Sequence, residues 1–433
     1  MNRVLIVSPH FPPTNAPDHQ RVRMSLPYFR EYGWDPVVLA VDAGTVAAPQ
    51  DELLARTVPD DIPVHRVAAW SEGWTRRCGI GSLGYRSWFP LQSAGDQLLG
   101  SAPFDLVYFS TAQHLVTLLG PRWLRRLGMP YVVDIQDPWR TDFYARPGAP
   151  PPPGGWKYRF ARWQAEHLEE RAWAGAAGFI SVSQAYLDQL AGRYPWFATL
   201  PSAVIPFGAP QQDFDLARNQ PGLSAAFVRE PGTLNLVSVG AVGPIMRPAL
   251  EYLFAAVRQL RMQHPEAVRR LRFHFIGTSY APPSRAVCSV RPIAESCGVG
   301  DLVREQPGRV GYFTAIRTLL EADAIVIPGS EDAAYNPSKI APCFLADKPT
   351  LALTPAGSAL DQMASELEFA TIARWPELTG TTPATDFLIA LLLNPAPTRH
   401  PSRNWDLFRA RHTARARTRQ QCELLERALH PQP

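Results

Sequence analysis

Short apolar runs alternate with helix-length segments along this chain, and the alternation stops once and then starts again. A strand buried on both faces reads as a continuous apolar run, and such runs separated by helical spacers are joined by crossovers into a parallel sheet. The first series opens with Val4 to Val7, a Pro-rich loop, a helix from about Gln20 to Tyr32 and a strand at Pro36 to Val41. Strands follow at Asp105 to Phe109, Tyr131 to Ile135, Gly178 to Val182 and Ala203 to Pro206, with helical segments near Leu115 to Leu127, Trp156 to Trp173 and Gln184 to Arg193. The second series restarts at Leu234 to Val239, with a helix from Ala249 to Met262 and strands at Leu271 to Ile276, Ala324 to Ile327 and Thr350 to Leu353. The expected organisation is a first domain over residues 1–207, a polar linker over 208–232, a second domain over 233–398 and a tail over 399–433. An Arg-rich amphipathic helix in that tail, Asn404 to Leu429, has no strand after it and is expected to pack back on the first domain. Two Rossmann-like, doubly wound parallel sheets facing across a cleft would place ligands at the carboxyl ends of their strands.

One stretch of the second series is suited to an anion. The strand Ala324 to Pro328 leads into Gly329-Ser330-Glu331-Asp332, then Asn336-Pro337-Ser338-Lys339-Ile340 and a short apolar helix. Asn336 is a good N-cap, Pro337 fits the first helical position, and Ser338 and Lys339 fall in the first turn. Free N–H groups and the positive end of the helix dipole favour a phosphate there, and Lys339 adds a point charge. The other reading of Lys339 is a solvated helix lysine. Lysine is scarce, however: Lys157, Lys339 and Lys348 are three among 43 basic residues.

A chain of 433 residues exceeds the usual size of one core, which agrees with two domains. Its composition, 46% hydrophobic and 19% charged, is that of a globular enzyme and excludes a fibrous or wholly disordered chain. The 44 prolines are about twice average usage. A formal net charge of +4 favours anionic ligands or a membrane surface without choosing between them, and does not imply nucleic acid. The five cysteines form no CxxC, which argues against a disulfide framework or structural zinc and fits a reducing cytosol. Val4 to Val7 is too short for a signal-peptide core or a membrane span, so a cytoplasmic protein is expected.

Several segments carry a family resemblance. Val4-Leu5-Ile6-Val7-Ser8-Pro9-His10-Phe11-Pro12-Pro13, with Gln20-Arg21-Val22 and Gly33-Trp34-Asp35-Pro36-Val37-Val38-Leu39, is similar to the acceptor domain of glycosyltransferase family 4, of the GT-B fold. Tyr131 to Trp139 resembles that family's aspartate-arginine-aspartate-proline-tryptophan segment, and Val204-Ile205-Pro206-Phe207-Gly208 and Val239-Gly240 also match. The resemblance implies transfer of a sugar, with retention of configuration, from a nucleoside diphosphate sugar to a glycan or lipid-linked acceptor in cell-surface polysaccharide or glycolipid assembly. It implies no essential metal and no resident cofactor beyond the nucleotide-sugar co-substrate. By the same resemblance Lys339 and Arg247 would hold the diphosphate, with Gly240 at the turn before Arg247. Glu331 or Asp332, with Ser338, would recognise the donor, while Asp137 with His10 or His114 would serve the acceptor. Plainer readings stand beside these: Arg247 as a surface arginine, Asp134 and Asp137 as loop caps holding Arg140, and both histidines as structural. Arg21 and Arg23 would meet an anionic ligand or be solvated.

The chain also departs from the family pattern. Pro342 stands where a ribose-binding glutamate is expected, and Thr14-Asn15-Ala16-Pro17 replaces a Gly-Gly turn. The alternatives are therefore a GT-B sugar-nucleotide epimerase and a non-catalytic homologue that binds nucleotide or glycan. Gly79 to Gly84 matches a dinucleotide fingerprint by letter but follows no apolar strand and reads as loop. The aromatics and arginines around it, Trp70, Trp74, Arg76, Arg77, Tyr85, Arg86, Trp88 and Phe89, either fold onto their own domain or meet a membrane interface or glycan. That loop and the Arg-rich tail motivate an expected peripheral contact with the inner membrane face.

Overall fold

A computed structural model describes residues 1–77, 81–140, 155–279, 281, 285–331, 340–375, 382–393 and 403–430. They form two compact units, residues 1–208 with 414–433 and residues 209–413. Each is built on one fully parallel sheet with helices on both faces.

The first sheet has seven strands: β1 Asn2–Val7, β2 Trp34–Val41, β3 Val64–Val67, β4 Leu106–Ser110, β5 Tyr131–Ile135, β6 Gly178–Ser181 and β7 Ser202–Val204. Their spatial order is β3-β2-β1-β4-β5-β6-β7, so the direction of winding reverses between β1 and β4. Period-two alternation divides the core cleanly. Leu5, Val7, Leu39, Phe109 and Val133 face the helices Leu83–Ser101, Leu119–Leu127 and Trp156–Trp173, while Val4, Ile6, Val38, Tyr108 and Val132 face the opposite side. Pro36 is tolerated inside β2 because its missing N–H would point toward β3, as that of Val38 does, and β3 pairs only from Val38 onward.

The helix Ala414–Leu429 completes the second face. Its Cys422, Leu424, Leu425 and Ala428 are buried in the same cluster as Val4, Tyr108 and Ile180. Gln421 donates to Ser25 Oγ at 2.8 Å on the neighbouring helix Gln20–Ser25. Three of its arginines are engaged within the unit: Arg415 pairs with Glu31 at 2.6 Å, Arg419 with Glu423 at 3.3 Å, and burial pushes Arg417 down to about 10, while Arg427 is exposed.

The second sheet has six strands: β8 Leu234–Val239, β9 Leu271–Ile276, β10 Val303–Gln306, β11 Ala324–Pro328, β12 Thr350–Pro355 and β13 Thr371–Trp375. Their order, β10-β9-β8-β11-β12-β13, reverses between β8 and β11. The stretch read as linker contains a helix, Gln211–Asn219, held to Tyr312–Glu321 by the Tyr312 hydroxyl donating to Asp213 at 2.6 Å. The stretch read as an aromatic loop is largely helical, Glu72–Arg77 and Leu83–Ser101, with Pro90 inside the latter. Among the described residues no helix is long and apolar enough to cross a membrane.

Gly208 meets the start of the last helix closely. A Cβ there would lie 2.5 Å from Ala414 Cα, so the contact is backbone to backbone and cannot relax by a rotamer change. Gly208→Ala is expected to cost about 2 kcal/mol and lower the melting temperature by several degrees, measured by calorimetry.

Candidate active site

In open α/β sheets the crevice for ligands opens where the winding reverses, outside the carboxyl ends of the two central strands. In the first unit that place is the end of β1 and β4, and it is lined by polar side chains. β1 runs through Ser8 to His10, and Ser8 Oγ donates to the His10 carbonyl at 3.0 Å. His10 Nδ1 lies 2.9 and 3.0 Å from the two carboxylate oxygens of Asp18, in the turn Pro17–His19 before the first helix. Asp18 is 5% exposed and also accepts from Thr111 Oγ1 and the Ala112 N–H, both at 3.3 Å, in the loop after β4. Burial pushes its carboxyl up, but the hydrogen bond and charge of His10, with His19 and Ala112, outweigh this and hold it below the usual range. An ionised carboxylate only accepts, so His10 Nδ1 is the donor of this pair.

Beneath this pair runs a buried network. Arg21 Nε donates to Asp134 at 2.7 Å and its Nη2 to the Ile205 carbonyl at 2.7 Å, with both side chains almost wholly excluded from water. Asp134 accepts from Ser110 Oγ at 2.7 Å and Gln136 Nε2 at 2.9 Å, and Gln136 also reaches the Asp18 carbonyl at 2.9 Å. Arg21 is therefore not solvated, and its Nη1 has no hydrogen-bond partner among the described residues. Arg23 is buried too and donates to Gln20 and Thr57. Asp134 holds Arg21 rather than Arg140, whose N–H donates to Glu169 at 3.1 Å.

His114 and Asp137 occupy the same rim. His114 begins the turn after β4 and stacks on Trp139, ring centroids 5.4 Å apart and planes 22° apart, with Trp173 edge-on. Burial pushes its ring down to about 4, so it is neutral near pH 7. Asp137 follows β5 with an exposed side chain. Desolvation by the surrounding protein, and then the charge of Asp18, push its carboxyl up. His10, His114 and Asp137 thus gather around Asp18, a residue that sequence reasoning passed over. Its only signal was an acid in the loop between the first strand and first helix.

In the second unit the equivalent crevice is shaped by backbone. Gly240 follows β8 at φ +104°, a conformation side chains avoid, and Gly277 follows β9 at φ +72°. The chain then makes a turn at Pro244–Met246 and enters the helix Arg247–Gln263, which has no side-chain N-cap. The Arg247 N–H donates to the Pro244 carbonyl and Pro248 has none, so of the first three positions only the Ala249 N–H is left for water or an anion. By contrast, the start of Arg291–Ser296 is already filled: Glu305 accepts from the N–H groups of Ser289, Val290 and Arg291 at 2.9, 3.0 and 2.8 Å. Glu331 is exposed, and its N–H donates to the Ile245 carbonyl at 2.9 Å, bringing the segment after β11 against the turn before Arg247. At Gly329 a Cβ would meet the Leu353 carbonyl at 2.6 Å, so only glycine lets β11 leave the sheet here.

Arg247 is exposed and donates to Glu251, one turn into its own helix, at 2.7 Å. Such a surface pair is worth about 0.3–0.5 kcal/mol, too little to keep the guanidinium from an incoming phosphate. Asp332, Ser338 and Lys339 lie outside the described residues. A surface cavity at the β10 edge is lined by Arg291, Glu295, Arg304 and Glu305, and Arg291 is paired with Glu295.

Residues 19–208 match the model of a family described as "Glycosyl transferase 4-like domain". No curated protein sequence matches the chain. Among solved structures the chain resembles the N-terminal domain of Candida albicans trehalose-6-phosphate phosphatase, at TM-score 0.57 and 11% identity over 98% of this chain and 97% of that one. It also resembles a glycosyltransferase from Rickettsia africae, at TM-score 0.55 and 12% identity over 100% and 99%. A third is a UDP-forming α,α-trehalose-phosphate synthase from Burkholderia xenovorans in complex with glucose-6-phosphate, at TM-score 0.53 and 14% identity over 99% and 100%.

The buried charged and titratable groups of the two units carry two predictions. Arg21→Ala leaves the Asp134 carboxylate buried without its cation and is expected to cost about 3–5 kcal/mol, read from urea unfolding. Burial pushes His19, His114 and His274 each down to about 4 from an ordinary value near 6.5. The unfolded chain takes up these protons first, so their contribution is complete above about pH 6.5 and is lost as pH falls toward 4. The melting temperature should fall over that window, and less steeply in His19→Gln.

Proposed function

With residues 19–208 matching a glycosyl transferase 4-like domain and the whole chain in the GT-B fold, we propose that this protein transfers a sugar from a nucleoside diphosphate sugar to a glycan or lipid-linked acceptor. The observation that carries this reading is the pair of switch-point crevices, one lined by titratable side chains and the other by glycines and an uncapped helix start. A diphosphate suits the second. The Ala249 N–H, the Arg247 guanidinium and, from the sequence, Lys339 and Ser338 would stabilise the leaving phosphate charge, which weakens the bond to the sugar. Glu331 and Asp332 are the carboxylates nearest in sequence for the donor's hydroxyls.

The acceptor would meet the first crevice. His10, with its Nδ1 proton held by Asp18, offers Nε2 to an acceptor hydroxyl. Asp137, whose carboxyl is held above the usual range, is the second proton acceptor on that rim, and neutral His114 can orient a hydroxyl without adding charge. Charge stabilisation of the leaving group from N–H groups and cations calls for no metal, and we read the transfer as retaining, within polysaccharide or glycolipid assembly. The UDP-forming neighbour makes uridine nucleotides the first donors to try.

Calorimetric titration with nucleoside diphosphates and their sugar conjugates tests this. Micromolar binding selective for one nucleotide is expected, weakened roughly 10- to 100-fold in Lys339→Ala and in Arg247→Ala, as loss of a charge-assisted contact implies. Absence of binding to every nucleotide would overturn the transferase reading in favour of a non-catalytic homologue. Donor hydrolysis to free nucleotide without transfer to any acceptor would favour an epimerase.

A further inference from the structure

The helix Trp156–Trp173 carries large aromatic side chains that its own core does not use. Ala165, Glu169, Ala172 and Trp173 are buried, while Trp156, Phe160 and Trp163 remain 69%, 50% and 53% exposed. Their spacing of four and then three residues puts them on one stripe of the helix. The stripe is ordered by its own stacking: Phe160 lies on Trp163 with centroids 5.9 Å apart, and Trp163 on the His167 ring at 4.7 Å. A hydrogen bond from Gln164 to the Tyr85 hydroxyl brings the helix Leu83–Ser101 alongside. One turn beyond Tyr85, exposed Phe89 stacks on exposed Trp70 at 5.4 Å.

The charge along the first half of the stripe has one sign, and Glu166 and Glu170 stand beside its far end. From Gly155 to Ala165 the sequence contains Lys157, Arg159 and Arg162 and no acid. Arg162 turns back to Glu166 at 2.8 Å, whereas Arg159 is exposed and has no partner among the described residues. Indole and phenyl rings with cations between them match the boundary of an anionic bilayer, where the rings enter the headgroup region and the guanidinium meets phosphate. They project from a convex helix face, so a deformable surface can envelop them without a matching groove.

We propose that this face of the first unit docks on an anionic lipid surface through Trp156, Phe160 and Trp163, with Arg159 supplying the electrostatic contact. Of the elements expected to meet a membrane, the helix Ala414–Leu429 turns its apolar side chains into its own core, while exposed Phe89 of the aromatic stretch lies on the helix Leu83–Ser101 and stacks on exposed Trp70. The docking face contains none of the groups assigned to donor or acceptor, so it goes beyond the transferase reading and can fail separately.

The test is co-sedimentation of the full chain with vesicles of phosphatidylcholine alone and of phosphatidylcholine with one third phosphatidylglycerol. We expect binding to the anionic vesicles only, weakening with salt, and a blue shift of tryptophan emission on binding. Trp156→Ala/Phe160→Ala/Trp163→Ala should lower the partition coefficient about tenfold or more, and Phe160→Asp alone should suffice if the triple variant folds poorly. Both should leave nucleotide titrations unchanged. Failure of the wild type to bind anionic vesicles would overturn the proposal, as would undiminished binding by the variants. A dimer that the variants convert to monomer in sedimentation velocity, without vesicle binding, would assign the face to a second copy instead.

Discussion

A guanidinium removed from water must be answered on several sides, and Arg21 is answered by elements far apart in sequence. Its partners are the end of β5 through Asp134 and the chain after β7 through the Ile205 carbonyl, while its Cζ lies over the Phe207 ring, 5.1 Å from the centroid. Asp134 in turn gathers Ser110 from β4 and Gln136, which extends to the Asp18 backbone. A buried ion pair is seldom a net source of stability compared with apolar residues of the same shape. What this one contributes is position. It fixes the first helix against the carboxyl ends of three strands, and the His10–Asp18 pair sits at the wet end of the same network.

The second unit solves its positioning problem with backbone rather than charge. Gly240 and Gly277 turn the chain at β8 and β9, and Gly329 lets β11 leave the sheet against the Leu353 carbonyl. The result is a helix start with no side-chain cap and an exposed Arg247 at the point where winding reverses, next to a helix start that Glu305 has already claimed. The difference decides which of two neighbouring helix termini is available to an anion.

The central strands were legible because burial on both faces leaves no room for polar residues: Val4 to Val7, Tyr131 to Ile135 and Ala324 to Pro328 are nearly pure apolar runs. The strands that escaped notice are sheet edges. Val64–Val67, Val303–Gln306 and Thr371–Trp375 each have a neighbour on one side only and carry His65, Arg66, Arg304, Glu305 and Arg374, which erase the apolar signal. Leu83–Ser101 escaped for a different reason, since glycine, Pro90 and aromatics on several faces mimic a loop. The rim histidines and Asp137 could be placed from their position after strands. Asp18 could not, because nothing local distinguishes a carboxylate that will be buried by partners ninety residues away, and Arg21 was misjudged for the same reason.

The first sheet is sealed by a helix made long after its strands. During synthesis all seven strands emerge before the helix Ala414–Leu429, and the whole of residues 209–413 is translated in between. At ribosomal rates this leaves Val4, Ile6, Tyr108 and Ile180 without their cover for roughly ten seconds or more. The nascent first unit is thus a candidate client for trigger-type chaperones, and the second unit, contiguous in sequence, can reach its native state ahead of the one that was begun first.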